Sequence, residues 1–135
     1  MRVFLDTNVL VSAVATRGLA NDVLRVVLTD HILVVGEPVL DELARVLDTK
    51  LKLPEQTIHG FLKLLRENEV APRPTKAPNL PLKDRADRWV LGSAIEAEAD
   101  IFVTGDRELL EVGDQVSIPI LDPRGFWDLM REGRG

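Results

Sequence analysis

The feature that most constrains the fold of this chain is the alternation of short apolar segments with longer amphipathic ones. Short runs of mostly β-branched and aliphatic residues predict four strands, at residues 2–5, 31–35, 100–104 and 118–121. Longer segments with helical periodicity predict helices between them, at residues 9–14, 19–28, 38–48, 54–68, 84–99, 106–112 and 123–130. Strands separated by helices pair in parallel and are covered on both faces. The sequence therefore predicts an α/β fold, a three-layer α/β/α sandwich with a central parallel sheet of four to five strands.

One segment lacks both kinds of periodicity. Residues 71–83 contain four of the eight prolines, which predicts an extended surface loop. Neither flank of this loop is long enough to form a domain by itself, and 135 residues is the size of one ordinary domain. We therefore expect a single domain over residues 1–135, in which the Gly-rich residues 131–135 form a frayed tail.

Composition excludes several classes of protein. The chain has no cysteine, so it can have neither a disulfide framework nor a thiolate metal site nor a cysteine nucleophile. No apolar run approaches the roughly 20 residues that span a bilayer. The acidic residue Asp6 comes too early for a signal peptide. These features predict a soluble cytoplasmic protein with no membrane partner.

The net charge of −5 argues at first against a nucleic-acid partner, because most such partners bind basic surfaces. The objection weakens if several acids are gathered around bound cations. Two divalent ions would change the charge from −5 to −1. Charge alone therefore decides nothing about the partner.

Acidic residues follow two of the predicted strands. Asp6 comes directly after residues 2–5, and Asp106 comes shortly after residues 100–104. In open parallel sheets the ligand lies beyond the carboxyl ends of the strands, which is where these side chains belong. Each acid could equally cap the helix that follows it. Both interpretations stay open on this pattern alone.

The helix predicted at residues 84–99 carries an acid on its apolar face. At about 100° per residue, Asp87 projects from near the middle of the stripe formed by Val90, Leu91 and Ala94. A lone buried carboxylate is costly unless a cation meets it, so the pattern favours a ligand role over a cap shared with Asp84. Glu42 only borders the apolar stripe of its helix, which judged alone favours a solvated position.

Several acids gathered at one edge of a sheet predict an oxygen-ligand site for Mg²⁺ or Mn²⁺. Such an ion can acidify and orient an attacking water and stabilise the leaving oxygen of a phosphodiester. A histidine-pair mechanism has little support, because His31 opens a predicted strand and His59 lies within a predicted helix. No Gly-rich phosphate-binding loop of either common type is present.

Four segments together resemble one family, the PIN-domain nucleases, and in particular the VapC-like toxins of bacteria and archaea. The opening Asp6-Thr7-Asn8 resembles the family's DTN motif, and residues 39–43 resemble its helix with a catalytic glutamate. Residues 84–91 are similar to its D-x-x-D segment, with Arg85 where a proline often stands. Thr104-Gly105-Asp106 resembles its TGD motif, and residues 123–127 resemble the close of one branch.

The resemblance implies a PIN-like fold and a role for each matching residue. Asp6, Glu42, Asp87 and Asp106 would form the catalytic, metal-binding pocket. Thr7, Asn8 and Thr104 would orient these carboxylates and the water. Asp84 would be a cap or an outer acid. The assignment of Glu42 comes from the resemblance and not from periodicity.

The resemblance also implies an activity and partners. The expected protein is a Mg²⁺- or Mn²⁺-dependent endoribonuclease, the toxin of a toxin–antitoxin pair, forming a homodimer and inhibited by a cognate antitoxin protein. Basic residues near the acids are candidate contacts to RNA phosphates: Arg17, Arg85, Arg88 and Arg107. Judged singly, each of them fits a solvated surface position better. The apolar helices at residues 19–28 and 58–65 could face a partner, although packing in the core is their default interpretation.

Two other classes of protein are weighed against a nuclease. A receiver-like signalling domain also gathers acids at strand ends around Mg²⁺, but it needs an acidic pair after its first strand and a lysine after a late one. Residues 6–8 and 118–122 provide neither. A catalytically silent PIN-like module used for binding or assembly is harder to exclude, although the presence of all four acids argues against it.

Overall fold

The protein, described here from a computed structural model over residues 1–133, is built on one five-stranded parallel sheet. The strand order is β3-β2-β1-β4-β5. The strands are β1 (Arg2–Leu5), β2 (Ile32–Gly36), β3 (Glu69–Ala71), β4 (Ile101–Val103) and β5 (Ile120–Leu121). All four neighbouring pairs run parallel. This confirms the predicted parallel sheet.

Helices flank the sheet on both faces and complete the predicted α/β/α sandwich. They are α1 (Thr7–Ala15), α2 (Leu19–Asp30), α3 (Glu37–Thr49), α4 (Glu55–Arg66), α5 (Arg85–Glu96), α6 (Arg107–Glu111) and α7 (Pro123–Gly133). A short 3₁₀ turn at Gly113–Gln115 follows α6. The three-layer architecture predicted from the alternation of elements is confirmed.

The core forms where the central strands meet the apolar faces of the helices. Phe4 and Phe102 lie in register on adjacent strands and stack with ring centroids 5.2 Å apart. Both rings are fully buried. Residues on each side of β1 and β4 are apolar because helices cover both faces of these strands. The centre of the sheet is therefore a rigid base for the loops that follow β1 and β4.

The strand order places a reversal of winding between β1 and β4. From β1 the chain builds outwards through β2 and β3 and then returns to add β4 and β5 on the other side. In open sheets of this kind, a crevice opens beyond the carboxyl ends of the two strands at the reversal. The fold therefore offers a cleft next to Asp6 and Asp106.

Strand β3 was not predicted. Residues 69 and 70 lie between the predicted helix and the predicted loop, and Ala71 was assigned to the loop, because so short a segment shows no alternation. The segment is a strand because it pairs with β2, with Val70 opposite Val35. Only this tertiary contact distinguishes it from the loop that follows.

The proline-rich segment after β3 has no helix or strand, as predicted, but it is more than a surface loop. Pro74, Leu80 and Leu82 are buried. The segment crosses α5 so closely that a Cβ added at Gly92 would lie 2.7 Å from the carbonyl oxygen of Lys76. Gly92 is therefore required for this contact, and the segment packs as a third wall beside α3 and α5.

Several element ends differ from the predictions by a few residues. Helix α5 ends at Glu96 rather than at residue 99, and Glu98 has a left-handed φ of 57°. Strand β5 begins at Ile120, two residues later than predicted. Helix α7 continues through Gly133, so residues 131–133 of the predicted tail are helical. Residues 134–135 of that tail lie outside the described residues.

None of the helices described in residues 1–133 is both long enough and apolar enough to cross a membrane.

Candidate functional site

The carboxyl ends of β1 and β4 bring two sequence-distant segments together. Asp6 follows β1 directly, and its backbone N–H donates to the carbonyl of Val103 at 3.0 Å. Thr104 follows β4, and Asp106 begins α6 two residues later. Both Asp6 and Asp106 cap the helices that follow them, and both line the same cavity. Each of the two acids therefore both caps a helix and lines the cavity, two roles that the sequence left as alternatives.

The carboxylate of Asp6 is held by three hydrogen bonds. Its Oδ1 accepts from the backbone N–H of Thr7 at 2.8 Å. Its Oδ2 accepts from the hydroxyl of Thr104 at 2.8 Å and from the amide of Asn8 at 3.1 Å. The side chain is 5% exposed. Asp6 therefore has a fixed position and little contact with water.

Thr104 and Asn8 extend this network to the loop after β4. The Thr104 hydroxyl accepts from the backbone N–H of Asp106 at 3.0 Å and from the Asn8 amide at 3.2 Å. The Asn8 Oδ1 accepts from the backbone N–H of Gly105 at 2.8 Å. Thr104 lies behind Asp6 and does not line the cavity. The two side chains tie the end of β1 to the segment that carries Asp106.

Thr7 contributes its backbone rather than its hydroxyl to this network. Its side chain is buried, and its Oγ1 has no hydrogen-bond partner within residues 1–133. The residue nevertheless lines the cavity. The Thr7 hydroxyl is therefore a buried polar group beside the cavity that the described residues leave unsatisfied.

The other acids reach the cavity from helices α3 and α5. Asp84 caps α5 by accepting from the backbone N–H of Ala86 at 2.9 Å. Asp87 lies in the first turn of α5, and Glu42 lies in α3. The side chains of Asp87 and Glu42 are half-buried, and neither forms a hydrogen bond or a salt bridge among the described residues.

These elements enclose one cavity of about 460 Å³. It is lined by all four acids of the predicted pocket, together with Thr7, Asn8 and Asp84. Its remaining lining residues are Val11, Ser12, Val46, Lys83 and Glu108. The structure therefore brings together residues from opposite ends of the sequence, from Asp6 to Glu108.

The predicted phosphate contacts do not reach this cavity. None of the four arginines, at positions 17, 85, 88 and 107, belongs to its lining. Instead, the basic residue at the cavity is Lys83, which the sequence analysis missed. Its backbone N–H donates to Glu108 at 3.1 Å, and the backbone N–H of Glu108 donates to Asp106 at 2.9 Å. Glu108, which also lines the cavity, could have been inferred from the sequence because it lies in the first turn of α6, directly after Asp106.

Neither histidine belongs to the site. His31 lies beside the N-terminal amine, with its Nδ1 3.3 Å from the Met1 nitrogen, and its ring packs edge-on against Phe126. His59 is exposed on α4. Neither residue lines the cavity.

The acids that line the cavity form no salt bridge among the described residues. The described salt bridges join Arg2 to Glu69, Arg66 to Glu37 and Arg73 to Asp41, and none includes a cavity acid. Since none of these acids forms a salt bridge among the described residues, burial and mutual repulsion disfavour their charged forms.

The pKa values of three acids show this effect. Burial raises the pKa of Asp6 to about 6, although hydrogen bonds from Thr104 and Thr7 act to lower it. Burial, and then the charges of Asp6, Asp84, Asp106 and Glu42, raise the pKa of Asp87 to about 7. Burial also raises the pKa of Glu42, against the lowering effect of Arg45.

The donor set fits a hard divalent cation in its chemistry. Carboxylate oxygens are the ligands that Mg²⁺ and Mn²⁺ prefer, and a bound cation would remove the repulsion among these acids. Within residues 1–133, however, no three Asp, Glu or His side chains are grouped closely enough to hold one ion as they stand. Mg²⁺ often binds through one or two carboxylates and keeps several waters, which this arrangement permits.

Comparisons with known proteins agree with the fold. A structure of VapBC2 from Rickettsia felis, bound to a DNA fragment from its promoter, contains a chain that superposes with a TM-score of 0.64. The two chains share 18% identity, and the match covers 90% of this chain and 98% of the other. No curated protein sequence matches the chain.

The sequence itself matches a family model described as a PIN domain over residues 2–108. The matched region includes every residue named above for the acidic cavity. It also contains four of the five strands. The chain belongs to the PIN domain family.

Proposed function

We propose that this protein is a divalent-cation-dependent endoribonuclease that uses Mg²⁺ or Mn²⁺. The observation that carries the proposal is the convergence of Asp6, Glu42, Asp87 and Asp106 on one cavity, with none of the four in a salt bridge among the described residues. Four carboxylates held in this way are costly in an empty cavity and favourable around a doubly charged ion. Members of the PIN domain family are generally nucleases, which supports the same activity.

Each cavity residue has a distinct task in this proposal. A bound cation would orient and acidify an attacking water and stabilise the leaving oxygen of the phosphodiester. Asp6 and Asp106 would hold it from the strand ends, and Asp87 from α5. Glu42 would complete the site or position the water. Thr104 and Asn8 keep the Asp6 carboxylate in one orientation through the hydrogen bonds already described.

We further propose that the substrate is RNA and that the protein is the toxin of a toxin–antitoxin pair. The VapC-like sequence motifs support this assignment, and the VapBC2 structural neighbour is similar over nearly all of its length. A homodimer and a cognate antitoxin protein belong to the same proposal. An antitoxin segment that covers the acidic cavity would inhibit the protein by excluding both cation and RNA.

The second candidate function is that of a PIN module without catalytic activity. The observation in its favour is that no three acids of the described chain are grouped around one position. A silent module would show no cleavage with either metal, and its melting temperature would not respond to divalent cations. The nuclease proposal instead predicts cleavage in the presence of Mg²⁺ or Mn²⁺ and a melting temperature that rises when a divalent cation is added.

The test compares wild-type protein with Asp6→Asn and Asp87→Asn on a fluorogenic RNA in the presence of Mn²⁺. Each variant is expected to lower kcat by about 100-fold or more, because each removes a carboxylate of the cation site. Asp128→Asn is the matched control, since Asp128 is an exposed acid on α7 outside the cavity. Full activity in either cavity variant would refute the proposal, as would an equal loss in the control.

A further inference from the structure

A second hollow adjoins the acidic cavity and contains an exposed tryptophan. Trp89 is 44% exposed and is the only aromatic side chain among the strongly exposed hydrophobic residues of the described chain. It lies over a space of about 310 Å³ lined by Pro38, Arg73, Pro74 and Trp89 itself. This volume is near the lower limit, roughly 300 Å³, of pockets that bind small organic groups.

Helix geometry explains how this hollow forms. Pro38, Glu42 and Arg45 are spaced along one face of α3, and Trp89 projects from α5, which packs beside it. The proline-rich segment adds Arg73 and Pro74 as the third wall. These six residues are called the Trp89 groove below.

The Trp89 groove is continuous with the acidic cavity. A space of about 270 Å³ that includes Pro38, Arg73 and Trp89 also includes Glu42 and Arg45. Glu42 lines the acidic cavity as well. A molecule whose reacting group lies among the acids could therefore place its adjoining part against Trp89.

We propose that the Trp89 groove binds one unpaired base of the RNA strand, stacked on the indole of Trp89, while the arginines at its rim contact the adjoining phosphate. This inference rests on the proposed function, because it places a neighbouring nucleotide of the same substrate. Base stacking on an aromatic side chain needs no particular sequence, since every base has a flat π face. It does require an unpaired strand, so the groove predicts cleavage in single-stranded regions.

The distribution of charge favours a nucleotide in this groove. The lining of the acidic cavity holds six carboxylates and one lysine, which repels an RNA backbone unless a cation is bound. The Trp89 groove instead offers Arg45 and Arg73. Arg73 pairs with Asp41, whereas Arg45 forms no salt bridge within the described residues. A strand that reaches the cavity would therefore meet Lys83 in the cavity and two further cations, Arg45 and Arg73, in the groove.

The first test measures stacking without cleavage. The protein contains two tryptophans, so a Trp127→Phe background leaves Trp89 as the sole indole fluorophore. A short single-stranded RNA, titrated in the presence of Mg²⁺ into this protein carrying Asp87→Asn to slow cleavage, is expected to quench this fluorescence. An abasic strand of the same length supplies the phosphates without bases and is expected to leave it unchanged. Equal quenching by both strands, or none by either, would overturn the inference.

The second test uses cleavage of single-stranded RNA with Mn²⁺. Trp89→Ala is expected to raise KM about tenfold while kcat changes less than about twofold, because stacking binds the strand but does not act on the bond. Trp89→Phe keeps an aromatic face and is expected to recover most of the loss. Trp127→Ala is the matched control, on α7 away from both hollows.

The outcomes separate this inference from the proposed function. Quenching by RNA but not by the abasic strand supports the base site even if no cleavage is found. Cleavage that depends on Asp6 and Asp87 but not on Trp89 overturns the base site and leaves the proposed function intact. If Trp89→Ala leaves RNA binding unchanged but weakens self-association in sedimentation, the groove is a protein interface and the inference is wrong.

Discussion

The two halves of the acidic cavity differ in how firmly their carboxylates are held. On the sheet side, Asp6 accepts three hydrogen bonds and Asp106 caps α6. On the helix side, Asp87 and Glu42 have no hydrogen bond from any described residue. The pKa values of Asp6, Asp87 and Glu42 are all raised, in each case chiefly by burial, but only the Asp6 carboxylate is held by hydrogen bonds.

This difference indicates that the two halves of the cavity contribute differently to the binding of a cation. Preorganised ligands lower the cost of binding, and Asp6 is positioned by strand ends that are the most buried part of the fold. Ligands on helix side chains can change rotamer when a cation or substrate arrives. The carboxylates of Asp87 and Glu42 have no hydrogen bond among the described residues to break in turning towards an ion, although no three acids of that part of the chain are grouped as they stand.

The strongest test of the fixed half is Thr104→Val, which removes the hydroxyl but keeps the shape. The carboxylate of Asp6 then loses a donor, and the backbone N–H of Asp106 loses its acceptor. We expect cleavage to fall by about 10- to 100-fold and the free energy of unfolding to fall by about 2 kcal/mol. Kinetics and urea unfolding measure the two effects. Thr104→Ser, which restores the hydroxyl, is expected to recover both, and a failure to do so would mean that shape rather than hydrogen bonding matters.

The two halves should respond differently to loss of one charge. Asp87→Asn removes a repelled carboxylate that has no hydrogen bond to lose, so it is expected to stabilise the protein. Asp6→Asn also removes a charge, but it turns an N–H towards groups that themselves donate. We expect Asp87→Asn to be more stable than Asp6→Asn by about 1–2 kcal/mol in urea unfolding at pH 7. Equal stabilities would contradict the contrast between a fixed and an adjustable half.

The raised pKa values also predict how stability depends on pH. The pKa of Asp6 is raised from 3.8 to about 6, and that of Asp87 from 3.8 to about 7. At pH values between the unfolded and the folded pKa, the folded state therefore binds protons that the unfolded state does not. By linkage, the resulting stabilisation is complete below about pH 4 and is lost as pH rises through 6 to 7.

Calorimetry can check the size of this effect. We expect the metal-free protein to melt about 3 °C higher at pH 5 than at pH 8, after allowance for the half-exposed position of Asp87. Asp87→Asn is expected to flatten this dependence, whereas the exposed control Asp128→Asn is expected to keep it. A melting temperature that rises between pH 5 and pH 8 in wild-type protein would show that other groups dominate.

The residue pattern alone points Asp6, Asp106 and Asp87 towards a common cleft but does not do so for Glu42, and the reason is physical. Asp6 and Asp106 follow apolar strands, so the parallel sheet alone places them at one edge. Asp87 was visible as an acid on an apolar helix face. Glu42 borders its apolar stripe, a position compatible with solvent, and only the packing of α3 beside α5 brings it to the cavity.

Other structural features arise from tertiary contacts, which no local pattern in the sequence indicates. Strand β3 exists because it pairs with β2, and the buried part of the proline-rich segment exists because Gly92 leaves room for it. The arginines were chosen for their nearness in sequence to proposed ligands. Adjacent residues on a helix point about 100° apart, and neither Arg88 nor Arg107 lines the cavity that Asp87 and Asp106 line.

The smallest predicted effect is a difference in KM between variants of Lys83 and of Arg107. Lys83 lines the cavity, where its charge can attract a phosphate, whereas Arg107 is exposed outside it. We expect Lys83→Ala to raise KM for RNA about threefold, a typical value for one partly solvated charge, and Arg107→Ala to leave KM within about 1.5-fold of wild type. Steady-state kinetics at two salt concentrations would check this, because added salt should reduce the difference between the variants. If Arg107→Ala had the larger effect, the strand would leave the cavity past α6 rather than across Lys83, and the path towards the Trp89 groove would be wrong.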